Sequence, residues 1–230
     1  MVHASRILAL AAVTLLVAAC GGGSLPPAAN ATPAQSAAST TPPLAAGSHA
    51  TAAFTPALTF TVPDGWSLVE DSSLYAQLAP IGSDGVGIHV FRDAAAASQD
   101  ATCPTSPEPG VGSTSSELVA WLRSLPGLIV STPALVTVGG LSGSSVDIGI
   151  AQGWSQSCPF ANGIPTVALI TFGSTGRWVM SGDERLRMYI LDVPGGGTVI
   201  VDIDDFYGDA IDTFIPTAAP IIRTFVFATS

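Results

Sequence analysis

The side chains able to do chemistry are few and scattered. His89 is the only histidine after residue 54, so any Ser–His–acid or Cys–His relay in that stretch would have to use it. It lies in the middle of the alternating run Val86-Gly-Ile-His-Val-Phe91. The chain has no G-x-S-x-G elbow, and its lack of lysine excludes an S-x-x-K nucleophile. His89 therefore reads as a strand histidine bonded to a neighbour. The densest group of possible ligands is Asp202, Asp204, Asp205, Asp209 and Asp212. Carboxylates so close together attract Ca²⁺, but Phe206 and Tyr207 occupy the places where a calcium loop needs a ligand and a glycine. Asp202 and Asp204 share one strand face. Asp205 and Asp209 flank the start of the last helix, where acids satisfy free amides and the helix dipole. The reading is structural, with weak cation binding as its alternative. Gly195-Gly196-Gly197 precedes an alternating strand rather than a helix N-terminus, so it reads as a hairpin turn and not a phosphate cradle. No catalytic, cofactor-binding or metal residue is assigned.

The three cysteines divide two ways. Cys103 and Cys158 form an even pair, each followed by proline in loop-like sequence, and in an oxidising compartment a disulfide is the default. A reactive or metal-binding pair is the alternative. Trp154, four residues before Cys158, is expected to pack on that bond. Trp121 falls on a helix core, and Trp66 and Trp178 are unassigned.

The elements that position these residues follow from pattern. Strands are expected at Leu58–Val62, Trp66–Glu70, Leu74–Pro80, Val86–Phe91, Thr166–Phe172, Trp178–Ser181 and Phe225–Phe227. Residues 94–113 read as polar and irregular. Thr114 and Glu117 have capping-box spacing, and Leu118, Trp121, Leu122 and Leu125 form one apolar stripe that ends at Pro126-Gly127. One hairpin is expected from 129–138 and 144–150 around Gly139–Gly143, and another from 186–193 and 198–204. Tyr207 to about Arg223 is helix-like, with Pro216 and Pro220 predicting a kink or break. Many antiparallel strands with two helices define an α+β class, a twisted and mainly antiparallel sheet with both helices packed on it.

The first 19 residues read as a signal peptide. Arg6 is the positive side chain of a short n-region, and Ile7–Ala19 forms an apolar run of about 20 Å if helical. That is short of the ~30 Å a membrane span needs. Leu16-Val17-Ala18-Ala19-Cys20 resembles the bacterial lipobox, in which the cysteine thiol is diacylated and cleavage makes it the new N-terminus. The resemblance implies lipidation of Cys20 and an extracytoplasmic chain held on the cell membrane by two acyl chains, enough for stable anchoring. Residues 20–54, after the lipid site almost wholly Gly, Ala, Ser, Thr and Pro with no acidic or basic residue but His49, read as a disordered linker. Its root-mean-square span is roughly 30–35 Å. Residues 55–230 are expected to form a single globular domain.

Leu58-Thr-Phe-Thr-Val-Pro-Asp-Gly-Trp66 and Pro220-Ile-Ile-Arg-Thr-Phe-Val-Phe227 resemble the first strand and turn and the last helix and strand of PsbP-like domains, including the LpqN type of bacterial lipoprotein. The segment holding Cys103, Trp154 and Cys158 has no counterpart in that resemblance. It implies a PsbP-like α/β/α sandwich and carries over no catalytic residue.

Charge narrows the partners. Seventeen acids stand against seven arginines, and all the acids lie at or after Asp64. Such a surface repels phosphate backbones, so no nucleic acid is expected as partner, and membrane association should rest on the lipid of Cys20. The expected function is a non-catalytic binding module of the cell envelope, capturing an unknown envelope protein. The alternatives are a carrier of a small apolar ligand or lipid, and a hydrolase or metal-assisted enzyme built on His89 or the Asp202 cluster. No cofactor is expected.

Overall fold

The structure is a computed structural model that describes residues 42–228. The expectations for the signal peptide, Cys20 and most of the linker lie outside the described residues. In chain order the elements are β1 (Gly47–Ala50), β2 (Leu58–Val62), β3 (Trp66–Asp71), β4 (Tyr75–Pro80), β5 (Val86–Arg92) and β6 (Ala94–Ala96). Helix α1 (Ser115–Ser124) follows, then β7 (Leu128–Val130), β8 (Ala134–Val138), β9 (Leu141–Ile150) and β10 (Thr166–Phe172). The chain ends with β11 (Gly176–Ser181), β12 (Arg185–Asp192), β13 (Thr198–Asp205), α2 (Ile211–Ile222) and β14 (Val226–Phe227).

A large sheet in the order β3-β4-β5-β13-β12-β9-β7 forms the middle layer, with β8 also paired to β9. Every strand pair in it is antiparallel. Side chains alternate across a strand, so each strand feeds two cores. Ile88 and Val90 of β5 and Val199, Val201 and Ile203 of β13 enter one core, closed by α2 and by the three-stranded sheet β1-β2-β14. Phe91, Ile200, Leu186, Met188 and Ile190 enter the other, closed by α1 and by the sheet β11-β10-β6. Among the described residues the chain adopts the mainly antiparallel α+β class with two helices. The central strands are buried on both faces, which is why β13 is buried along its whole length.

The local signals explain both helices. Thr114 accepts from the Glu117 amide, and the Glu117 side chain reaches back to the Thr114 backbone. The Ser115 N–H and hydroxyl both donate to Asp192, at 2.7 and 2.6 Å, which fixes the start of α1 against the end of β12. The last helix begins at Ile211 rather than Tyr207 because Asp205 folds the chain before it: its carboxylate accepts the N–H groups of Tyr207 and Ala210. Pro216 and Pro220 leave α2 unbroken. Both are exposed, so the carbonyls they leave without a helical donor lie on the solvent side.

Four other expectations are corrected. The composition predicts a linker to residue 54, but Gly47–Ala50 pairs with Thr59–Val62. Leu44 bridges to Trp66, and Asp71 accepts from the amides of Ala52, Ala53 and Phe54. A segment without hydrophobic period is recruited by the open edge of β2. Residues 94–113 are not wholly irregular, since Ala94–Ala96 pairs with Ile170–Phe172. The loop expected at Gly139–Gly143 is a two-residue turn, with Gly139 at φ 61° and Gly140 at φ 86°. Gly143 lies inside β9, where an added Cβ would fall 2.0 Å from the Ile190 carbonyl oxygen. The strand expected at 129–138 divides into β7 and β8, both on β9.

Candidate functional site

The register of the central sheet assembles a polar cluster inside the second core. His89 on β5 lies opposite Asp202 on β13, and Gly87 lies opposite Asp204. Gln77 on β4 lies opposite His89. All these side chains leave the same face of the sheet. Gly87 provides the space: a Cβ there would come within 2.8 Å of His89 Nε2. The fourth member, Glu184, comes from the turn before β12. It is held there by the Ser181 N–H, which donates to its Oε2 at 2.8 Å.

His89 Nδ1 is 2.7 Å from the Tyr75 hydroxyl, and that hydroxyl is 3.3 Å from Gln77 Oε1. Assigning the Tyr75 proton to Gln77 makes His89 Nδ1–H the donor to the phenol oxygen and leaves Nε2 bare. Nε2 then faces Asp204 Oδ2 at 3.8 Å. The Trp178 ring covers the imidazole with centroids 4.5 Å apart, and Tyr75 stacks on Phe91 at 5.1 Å. His89 is 4% exposed, Glu184 3% and Asp202 0%.

Burial dictates the protonation states. It lowers the His89 pKa to about 3, so the ring is neutral. It raises Glu184 to about 9, with the charge of Asp204 adding to the effect. It raises Asp204 to about 7 and lifts Asp202 well above the carboxylate range, with Asp204 and Glu184 pushing the same way. Protonated, the Glu184 carboxyl donates to Asp204. Tyr75 is likewise pushed up, by burial first and then by the charges of Glu70, Asp202 and Asp204. A phenol raised in this way is not an activated nucleophile. The cluster joins a neutral imidazole to carboxyls that burial drives toward their protonated form, behind an aromatic cover.

The aspartates considered together in the sequence divide between the faces. Asp202 and Asp204 point into the second core, whereas Asp205, one residue on, turns to the first face and caps the start of α2. Asp209 is exposed, and Asp212 pairs with Arg185 at 3.1 Å on the surface. Among the described residues no group of three or more His, Cys, Asp or Glu has the arrangement of a metal site. His89 has a bonded neighbour, as its strand position suggested. Glu184 and Tyr75 were missed. Glu184 stands in Gly182-Asp-Glu-Arg185, which has the composition of a solvated turn, and nothing in the sequence signals its burial.

Cys103 and Cys158 are disulfide-bonded. The bond joins the loop after β6 to the loop before β10. Arg177 of β11 donates to the Cys103 carbonyl and lies over the Phe160 ring at 4.3 Å. Trp154 lines the same cleft as the bond and donates from Nε1 to the Thr166 carbonyl at 2.8 Å. A second cleft of about 470 Å³ opens at the end of β9 and β12. Ile129, Ile150 and Ile215 line it beside the ion pairs Arg185–Asp212 and Arg187–Asp147. Among the described residues no helix is long and apolar enough to cross a membrane.

No family model matches the chain, and no curated protein matches it. Solved structures similar to it include the following three. LpqN, involved in cell envelope biogenesis of Mycobacterium tuberculosis, is 18% identical over 75% of this chain and 83% of that one, with a TM-score of 0.38. Cyanobacterial PsbP from Synechocystis is 11% identical over 86% of this chain and all of that one, at 0.41. A Bacteroides thetaiotaomicron protein is 10% identical over 75% of this chain, at 0.36, and this chain covers 46% of its length. The first two carry the names of the resemblance read in the sequence.

Proposed function

We propose that the chain is a lipid-anchored, extracytoplasmic binding module of the cell envelope with no catalytic role. The observation that carries this reading is the Cys103–Cys158 bond. It accounts for two of the three cysteines, and such bonds belong to oxidising compartments. The third, Cys20, follows Leu16-Val17-Ala18-Ala19 at the end of an apolar run of signal-peptide length. The lipid supplies the anchor, the Gly/Ala/Ser/Thr/Pro stretch supplies reach, and the folded part presents surfaces to a partner. The binding role is supported by the cleft beside β9 and β12, where apolar side chains and surface ion pairs alternate, as in protein-recognition surfaces. Burial lowers His89 to about 3, which makes it a weak base, and its aromatic cover closes it off; both favour this role over hydrolysis.

Fractionating cells that express the wild type and Cys20→Ala tests the anchor. The wild type should sediment with membranes, and Cys20→Ala should leave them or remain uncleaved. A variant that stays membrane-bound and correctly processed refutes the lipid anchor. A photo-crosslinking residue at the exposed Ile129, used on whole cells, should give a protein adduct. No adduct, together with a small molecule retained in the native mass spectrum, would replace partner capture with ligand carriage.

A further inference from the structure

The second core contains three carboxyl groups with no cation among the described residues to balance them. Asp202 is 0% exposed, Glu184 3% and Asp204 6%. Neither oxygen of Asp202 has a hydrogen-bond partner, nor does Oδ1 of Asp204. The groups facing them are few. Strand β4 brings Tyr75, β5 brings His89, and β3 brings Glu70, which acts on the Tyr75 hydroxyl. On β13 itself Asp205 adds its negative charge from the other face. Strand β12 adds Leu186 and Met188, and β11 adds Trp178, Met180 and the Ser181 amide, none of which titrates. The nearest arginines are engaged elsewhere: Arg185 on Asp212, Arg187 on Asp147, and Arg177 on the Cys103 carbonyl. A bare carboxylate in such surroundings is far costlier than a neutral acid, so the cluster must take up protons to stay buried.

Position gives the protons a consequence. Glu184 belongs to the turn that leads out of β11, its carboxyl accepts the amide of Ser181 at the end of β11, and Trp178 of β11 covers His89. The three acids thus sit where the covering β10–β11 hairpin meets the central sheet. We propose that Asp202, Asp204 and Glu184 form a proton-operated latch: protonated, they hold the β10–β11 hairpin and the turn Gly182–Glu184 onto the central sheet, and ionised, they release that layer while the α2 layer stays in place.

The direction in pH follows from linkage. An acid whose folded pKa lies above its unfolded value contributes stability that is full below the unfolded pKa, about 4 for these side chains. That contribution is lost as pH rises through about 7 for Asp204 and about 9 for Glu184.

The test is thermal unfolding and amide hydrogen exchange of the full chain between roughly pH 5 and pH 10, the range that brackets these acids. The melting temperature should fall as pH rises. Peptides from residues 166–184 should lose protection relative to peptides from residues 47–62 in the same sample, by up to about tenfold per pH unit for each acid that ionises. Asp202→Asn and Glu184→Gln should keep the acid-side melting temperature and flatten the fall. A wild-type profile that is flat, or one in which both layers loosen together, overturns the latch. So does a fall that millimolar Ca²⁺ or Mg²⁺ abolishes, since the cluster would then hold a cation and not protons. If the variants do not fold, the exchange ratio in the wild type decides alone.

Discussion

The two faces of the central sheet are built by the same strands and differ in what they enclose. The α2 face is apolar in its interior, with Phe60, Ile88, Val201, Ile203 and Leu78 at 2% exposure or less, and its one acid on β13, Asp205, is satisfied by the amides of Tyr207 and Ala210. The α1 face is equally well buried but carries His89, Asp202, Asp204 and Glu184 along one side. The covering layers differ as well. On the α2 face the layer is held by apolar contact and by β1 and β14 flanking β2. On the other it is cross-linked by the Cys103–Cys158 bond and meets the sheet through acids that must hold protons. Hydrophobic burial hardly responds to pH, whereas a buried carboxylic acid does. A pair of layers on one sheet can therefore respond differently to one solution condition.

The contrast can be broken most severely on the apolar side. Phe60→Ala should destabilise the fold by about 3–5 kcal/mol, with little dependence on pH, because a fully buried ring leaves a cavity there. Urea unfolding at two pH values measures it, and a strongly pH-dependent loss would contradict the division. Removing the cross-link on the other side, as Cys103→Ser with Cys158→Ser, should cost about 4 kcal/mol in the chain-entropy model. Hydrogen exchange should show that loss in β10 and its flanking loops before it reaches β2.

Two glycines sharpen the comparison. Gly87→Ala on the polar face places a Cβ against the His89 ring at 2.8 Å, and overpacking of this kind should cost about 1–3 kcal/mol. Gly149→Ala meets nothing within 4 Å and should be neutral or stabilising by about 0.4–1 kcal/mol. Equal effects at the two positions would mean that His89 is not held in place. Thr114→Ala removes the cap of α1 and should lower the melting temperature by the equivalent of about 1 kcal/mol.

The sequence showed much of the local structure, for reasons that individual residues make plain. Leu58–Val62 alternates and is a strand with every second side chain buried. Thr114 and Glu117 form the cap their spacing describes. Gly47–Ala50 is not legible in the sequence because it has no pattern of its own and becomes a strand only by pairing with β2. The polar cluster was half legible. Asp202 and Asp204 were placed on one face of one strand, but nothing local linked them to a histidine over a hundred residues earlier or to a glutamate in a turn.

By itself the sequence determined what depends on neighbours along the chain. That includes the period of the strands, the capping of α1, the acidic charge and the signal-like run ending at Cys20. Tertiary structure alone decided which face each polar side chain enters. Register sets Asp202 opposite His89, and a shift of one residue would exchange the two faces of β13. It also decided the ionisation of these groups, because a carboxyl has its ordinary pKa in an extended chain and loses it only when other strands take away its water.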